Sequence, residues 1–324
     1  MKALQAIIRR TGGPEVIEWV EVDLPPPGPG EVVMANEAVG VNFIDTYHRT
    51  GLYPAPLPSG LGMEAAGRVL AAGPDVALKE GDRVATFGPE RGAYSTARVV
   101  RAEHLLPVPG DVLSEIGAAA LLKGCTAEFL AERCGKVTAG MNVLVHAAAG
   151  GVGLILVQWL RAVGARVIGT VSTEAKTALA REAGADEIIR YDHELVAERV
   201  RTLTGGKGCE VVFDGVGADT WEASLDSAAR RGLIVSYGNA SGPVTGVNLG
   251  ILAQKGSLRA TRPTLFDYYS EPGESDAGIQ RLWDMIRGGK VKVTVGLRYP
   301  LDEAAEAHRA LEARQTTGSV LLLP

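Results

Sequence analysis

The fold of this chain is constrained most tightly by one segment, His146-Ala147-Ala148-Ala149-Gly150-Gly151-Val152-Gly153. It joins an apolar strand pattern at residues 142–147 to an apolar helix pattern at residues 152–163. Ala148-x-Gly150-x-x-Gly153 is a variant of the glycine fingerprint that holds a dinucleotide pyrophosphate, with alanine in the first glycine's place. Small residues let the backbone approach phosphate oxygens. The helix that follows offers unpaired N–H groups and positive potential at its N-terminus. A tight turn without a ligand can use the same residues. The strand-loop-helix context, opening a longer βα series, favours the dinucleotide.

That series fills the middle of the chain. Strand patterns at residues 166–171, 187–191, 211–216 and 233–236 alternate with helix patterns at residues 175–182, 195–203 and 221–229. Apolar strands alternating with helices predict a parallel sheet covered on both faces. Gly164, Gly184 and Gly232 are read as helix C-termini. The first third is different. Short β-type runs at residues 6–8, 15–22, 31–41, 66–72, 83–87 and 93–100 are separated by Gly- and Pro-rich turns, which predicts a small barrel or sandwich. The last part mixes both characters, with helix patterns at residues 278–286 and 301–313 and strand patterns at residues 291–299 and 320–323. The expected organisation is an α/β chain in which both ends build one domain, residues 1–124 and 264–324, around an inserted doubly wound sheet at residues 125–263.

Composition removes several functional classes. With 33 Lys+Arg against 38 Asp+Glu, the net charge is −5, a poor basis for binding nucleic acid. Aromatic residues make up 5%, too few for an obvious base-stacking platform. No apolar run approaches the roughly 20 residues that span a bilayer. The opening MKALQAIIRR has no long apolar core and no small-residue cleavage site, so no signal peptide is expected. Cys125, Cys134 and Cys209 are odd in number and widely spaced, which fits neither a disulfide framework nor a Cys-rich zinc site. A cytoplasmic protein is expected.

The cofactor type is argued from the second strand of the series. NAD-binding folds place an acid about 20 residues past the glycine motif, on the ribose 2′-hydroxyl. Here the strand ends Ile168-Gly169-Thr170-Val171-Ser172-Thr173 without an acid, and Glu174 is read as the start of the next helix. Hydroxyls followed by Lys176 suit a 2′-phosphate, so NADPH is expected over NADH. Ser172 or Thr173 also suits a helix N-cap with Lys176 solvated, and the two readings are compatible.

Several motifs together resemble one family. They are Gly40-Val41-Asn42-Phe43-Ile44-Asp45-Thr46-Tyr47, Arg49-x-Gly51-x-Tyr53-Pro54, Pro58-x-Gly60-x-Gly62-x-Glu64-x-x-Gly67, Gly81-Asp82-Arg83-Val84, the glycine loop and Tyr237-Gly238-Asn239. They resemble the zinc-independent, zeta-crystallin-like quinone oxidoreductases of the medium-chain dehydrogenase/reductase superfamily, the bacterial NADPH:quinone reductases above all. The resemblance implies a GroES-like barrel-type domain, an inserted Rossmann domain, a cleft between them and a homodimer through the Rossmann domains. Zinc alcohol dehydrogenases carry a His where this chain has Met63, and a ligand Cys near the stretch around Val41 and Asn42, where this chain has none. No metal is therefore expected, and hydride transfer to an already electrophilic acceptor needs no Lewis acid.

The resemblance also assigns residues. Asn42 and Tyr47 match positions lining the nicotinamide and substrate cleft, where both can steady charge on a carbonyl oxygen. Asn42 reads equally as a turn or helix cap, and Tyr47 as a packed aromatic. Tyr53 matches a pocket wall or packs within its own loop. Asp45 and Arg49 are read as a structural i, i+4 pair, and Glu64 as structural. Lys123 and Thr126 match a segment near the cofactor, with a plain helix interior as the other reading; Cys125 beside them is read as packed. Ala149, Gly150, Gly151, Val152 and Gly153 would hold the pyrophosphate. Gly169, Thr170, Ser172, Thr173, Lys176 and Tyr191 would form the adenosine 2′-phosphate end. Val216, Gly238, Asn239 and Ser241 end later strands, where doubly wound sheets bind ligands. Arg262 and Arg314 match positions near the nicotinamide and phosphates.

Three functions follow as expectations. The first is NADPH-dependent reduction of a small-molecule quinone, by hydride or by single-electron transfer from the cofactor's C4. The second is reduction of an activated C=C bond in an enal or enone. The third is an NADPH-binding or RNA-binding protein of low turnover.

Overall fold

Six parallel strands form the centre of the unit Lys123–Val293 in the computed structural model, which describes residues 1–324. In sheet order they are Glu187–Arg190, Arg166–Val171, Asn142–Val145, Cys209–Asp214, Ala228–Ser236 and Arg259–Thr261. Counted along the chain this is 3-2-1-4-5-6, the doubly wound dinucleotide order, whose direction reverses between the first and fourth strands. The connections carry the helices Gly151–Ala162, Glu174–Glu182, Val196–Leu203, Trp221–Ser227 and Gly250–Gln254. Leu144, Ile168, Ile189, Val212 and Ile234 of five successive strands join one buried cluster. Asn142–Val145, Arg166–Val171 and Cys209–Asp214 are buried along nearly their whole length, as strands covered on both faces must be.

Helix stops follow from local chemistry at Gly164 and Gly184, whose φ angles of +86° and +99° lie in the left-handed region. Gly232 departs from the expected pattern and lies inside the strand Ala228–Ser236. The helix before it ends at Ser227, because Ala228 is already extended and pairs with Cys209. The Arg201 guanidinium reinforces that exit by taking the carbonyls of Asp226 and Ala228, both through Nη2, at 2.7 and 2.8 Å.

The other unit is Met1–Leu122 with Thr294–Pro324. A three-stranded sheet runs Glu18–Asp23, Lys2–Ile8, Ser59–Gly60. A seven-stranded sheet follows the path Val295–Pro300, Ser319–Leu323, Glu31–Val41, Glu64–Ala72, Arg83–Thr86, Leu106–Pro107, with Ala97–Arg101 also paired to Glu31–Val41. The last strand is antiparallel to Glu31–Val41 in the register Val320↔Val41, so the chain's C-terminal segment completes a sheet begun near its start. Ile8, Val39, Val41, Leu61, Tyr94, Leu311 and Leu322 belong to its core.

The units divide at residues 122/123 and 293/294, whereas the sequence reading placed the junctions at 124/125 and 263/264. The later return has a packing reason. The helix Glu274–Arg287 puts Leu282 against the surface of Gly124, and Arg281 lies over the Trp159 ring at 5.8 Å, all within Lys123–Val293. Tyr268 stacks on Phe129 at 5.0 Å in the same unit.

Candidate active site

The glycine loop leaves the central strand at the point where the sheet order reverses. Ala147 takes φ +52°, and Gly150 N–H donates to Ala147 O at 2.9 Å, which folds the loop back over itself. Gly150 is the N-cap of the helix Gly151–Ala162, and no side chain caps that helix. The first-turn N–H groups are thereby left for a ligand. A Cβ on Gly153 would stand 2.2 Å from Ala147 O, and one on Gly169 would stand 2.8 Å from Ala148 Cβ. Both positions need glycine so that helix, loop and second strand can approach. The cradle fits a dinucleotide pyrophosphate.

Several residues expected at the 2′ end lie at the start of the next helix. Thr173 N-caps Glu174–Glu182, accepting from Lys176 N at 3.3 Å, so the capping reading holds there. Glu174 is the first helical residue and pairs with Arg190 at 3.2 Å. Ser172 and Lys176 are half-buried, and Tyr191 is exposed, its N–H donating to Val171 O. Thr170 differs from expectation: it is buried, and its hydroxyl lies 3.2 Å from His146 Nδ1, turned into the protein.

Further along the carboxyl edge, Val216 N–H donates to Asp214 Oδ1 at 2.9 Å. Ser241 Oγ donates to Val216 O and accepts from Asp219 N–H, tying two strand-end loops together. Gly238 packs so closely on Gly215 that a Cβ would sit 2.2 Å from its carbonyl oxygen, and Asn239 beside it is buried. Arg262 donates to Ser236 O at 2.9 Å. Lys123 and Thr126 lie inside the helix Ser114–Glu128, Lys123 buried and Thr126 half-buried, with Cys125 buried between them.

In the first unit, Asn42 is the N-cap of the helix Phe43–Thr50. Its backbone N–H donates to Asp45 Oδ2 at 2.8 Å, and its Nδ2 donates to Glu64 Oε2 at 3.0 Å. The amide N–H assigned above to a substrate oxygen is thus directed at a buried carboxylate. Glu64 Oε1 accepts in turn from Leu122 N–H at 2.8 Å. Tyr47, 8% exposed, meets the Tyr53 ring edge-on at 5.2 Å. Arg314 follows the last helix in a left-handed conformation, φ +59°, and is exposed.

Asp45 and Arg49 join a wider buried network. Arg49, 1% exposed, grips Glu312 through both Nη atoms and lies 3.2 Å from His308 Nδ1. Tyr94 Oη lies 3.0 Å from Asp45 Oδ2 and 2.9 Å from His308 Nε2. Burial, with the Asp45 carboxylate second, holds the Tyr94 phenol well above its ordinary range, so it donates to Asp45. Burial, then Arg49, pushes His308 down to about 3, so the ring is neutral. The order of donation is then Arg49 to Nδ1, Nε2–H to Tyr94, and Tyr94 to Asp45. This chain anchors the helix that carries Tyr47. No local signal in the sequence marks Tyr94 or His308, because Tyr94 lies in the loop before the strand Ala97–Arg101 and His308 in the helix Ala304–Glu312, both far from residue 45.

A family profile described as an alcohol dehydrogenase GroES-like domain matches residues 28–110, and one described as a zinc-binding dehydrogenase matches residues 151–270. A GroES-like module followed by a doubly wound dinucleotide sheet is the make-up of a medium-chain dehydrogenase/reductase. The quinone oxidoreductase of Pseudomonas aeruginosa is 53% identical to this chain over 97% of each. The 2-haloacrylate reductase of a Burkholderia species is 46% identical over 99% of each. The solved structure of Escherichia coli quinone oxidoreductase complexed with NADPH is 47% identical and covers 99% of this chain and 100% of its own, with a TM-score of 0.96. The chain belongs to the quinone oxidoreductase family of that superfamily.

The zinc in one profile's description does not fit these residues. No group of three or more His, Cys, Asp or Glu side chains is arranged to hold a metal ion. Met63 stands where the resemblance to zinc alcohol dehydrogenases calls for a His, and Cys125 and Cys209 are buried, with burial pushing the Cys209 thiol up to about 12.

Proposed function

We propose that this chain reduces quinones with NADPH. The observation that carries the reading is the uncapped helix N-terminus behind a loop packed so closely that Gly153 admits no Cβ. The relatives of about half identity named quinone oxidoreductase support it. NADPH, when bound, supplies a hydride from nicotinamide C4. The backbone of residues 149–153 binds the pyrophosphate, and Ser172 and Lys176 hold the 2′-phosphate. Val216, Gly238, Asn239 and Ser241 shape the carboxyl edge of the sheet. Arg262 and Arg314 serve the nicotinamide and phosphate ends. The Tyr47 hydroxyl donates to the acceptor's carbonyl oxygen as charge gathers there, and Tyr53 walls the same aromatic surface. Asn42 keeps this helix in place through its cap and Glu64. Orientation of the two reactants supplies most of the acceleration.

Reduction of an activated C=C bond is the second reading, favoured by the 2-haloacrylate reductase relative. No helix is long and apolar enough to cross a membrane. A cytoplasmic homodimer joined along the Rossmann edge strand Arg259–Thr261 is the proposed state, to be checked by light scattering.

The deciding experiment follows NADPH consumption by metal-free enzyme with 1,4-benzoquinone and 2-hexenal in parallel. Fast turnover of the quinone supports the first reading, and turnover of the enal alone replaces it with the second. Failure with both, despite NADPH binding, rejects both. Tyr47→Phe is expected to lower quinone turnover with NADPH affinity unchanged; wild-type turnover removes the role given to Tyr47.

A further inference from the structure

The strand ladder at the centre of the cofactor edge ends at Gly169↔Val145↔Phe213. The next residue of each strand is Thr170, His146 and Asp214. Backbone bonds go one step further, from His146 N–H to Phe213 O and from Ala148 N–H to Thr170 O, each at 3.0 Å, and the side chains add a second tie at this level. Thr170 Oγ1 lies 3.2 Å from His146 Nδ1. His146 Nε2 lies 3.1 Å from Ser224 Oγ, which donates to Asp214 Oδ2 at 2.6 Å. All four side chains are at most 1% exposed.

The direction of donation is fixed from the acid end. Asp214 only accepts, so the Ser224 proton goes to it, and Ser224 Oγ must accept from His146 Nε2–H. Burial lowers the His146 pKa and keeps the ring neutral. Its Nδ1 is then an acceptor, and Thr170 donates to it. Asp214 is held by hydrogen bonds alone: Val216 N–H at 2.9 Å, Gly217 N–H at 3.0 Å, and the Thr220 and Ser224 hydroxyls.

This is where the sheet order reverses, so the crossovers after the first and fourth strands leave in opposite directions and their loops separate. A side-chain bridge at this level sets the distance between them. We propose that His146, Ser224 and Asp214 are positioning residues for the dinucleotide, fixing the spacing between the glycine loop, the second strand's end and the turn at Val216. The inference rests on the glycine loop being the NADPH site. Replacing one link moves loops rather than removing a ligand contact. It therefore weakens cofactor binding more than it slows the chemistry of bound cofactor.

The test is titration of NADPH fluorescence together with quinone kinetics on Ser224→Ala, His146→Leu, His146→Gln and Gly153→Val. Ser224→Ala and His146→Leu are expected to raise Kd and KM for NADPH about tenfold to a hundredfold. Turnover at saturating NADPH should stay within about twofold. His146→Gln, which can keep an N–H toward Ser224, should recover most of the loss. Gly153→Val should abolish binding. Wild-type NADPH affinity in Ser224→Ala and His146→Leu, with binding lost in Gly153→Val, overturns this inference alone. Wild-type affinity in Gly153→Val rejects the cofactor site and this inference with it. If Ser224→Ala loses thermal stability, affinity and turnover together, without recovery in His146→Gln, the network is only a fold element and the inference fails.

Discussion

Asn42 Nδ2 donates to Glu64 Oε2 across 3.0 Å, and the two residues are 8% and 0% exposed. A carboxylate cannot donate, so this contact alone fixes which way the Asn42 amide points. Glu64→Gln sets an amide NH2 against either the Asn42 NH2 or the Leu122 N–H. A stability loss of about 1–3 kcal/mol is expected, read from urea unfolding. An unchanged midpoint would show that the two amides simply re-pair.

The close approach at Gly169 gives a second prediction. A Val side chain there must displace Ala148, the small residue at the first position of the glycine fingerprint. Gly169→Val is expected to cost about 1–3 kcal/mol. NADPH should then raise its melting temperature far less than that of the wild type. Thermal shift with and without NADPH separates the two effects.

Lys176 decides the third. If its ammonium neutralises the 2′-phosphate, Lys176→Glu should reverse part of the preference for NADPH over NADH. The measured quantity is the ratio of kcat/KM for the two cofactors. A fall of about tenfold corresponds to roughly 1.4 kcal/mol of lost discrimination. An unchanged ratio would return Lys176 to the solvated helix face.

Acid should destabilise the first unit through His308. The folded ring titrates at about 3, because it is buried and faces Arg49, while an unfolded histidine titrates near its ordinary 6.5. Between those values the unfolded chain binds a proton that the folded chain does not. Stability therefore rises with pH across this window, by about 1.4 kcal/mol per unit for this one residue, and the contribution is complete above 6.5. Unfolding midpoints from pH 3.5 to 7 should show a shallower slope in His308→Gln than in the wild type. Equal slopes would mean that the buried ring does not stay neutral.

Much of the architecture is legible in the sequence. The apolar runs, their helical or alternating period, and the glycines at 164 and 184 act within a few residues, so they predict the βα series directly. Gly232 misled because a helix C-terminus and a strand irregularity both use glycine. The helix exit at Ser227 rests on the pairing of Ala228 with Cys209 and is reinforced by Arg201, whose hold on the Asp226 carbonyl spans 25 positions in sequence.

The sequence by itself determined the glycine loop, the doubly wound unit and the family, because each depends on residue types at short, fixed spacings. Tertiary structure alone decided where the polar side chains turn. Thr170 faces His146 rather than outward. Arg49 reaches Glu312, 263 positions away. Asn42 is held by Glu64, 22 positions away. Hydrogen-bond partners like these are set by strand register and by which elements bury one another, and neither is encoded in local spacing.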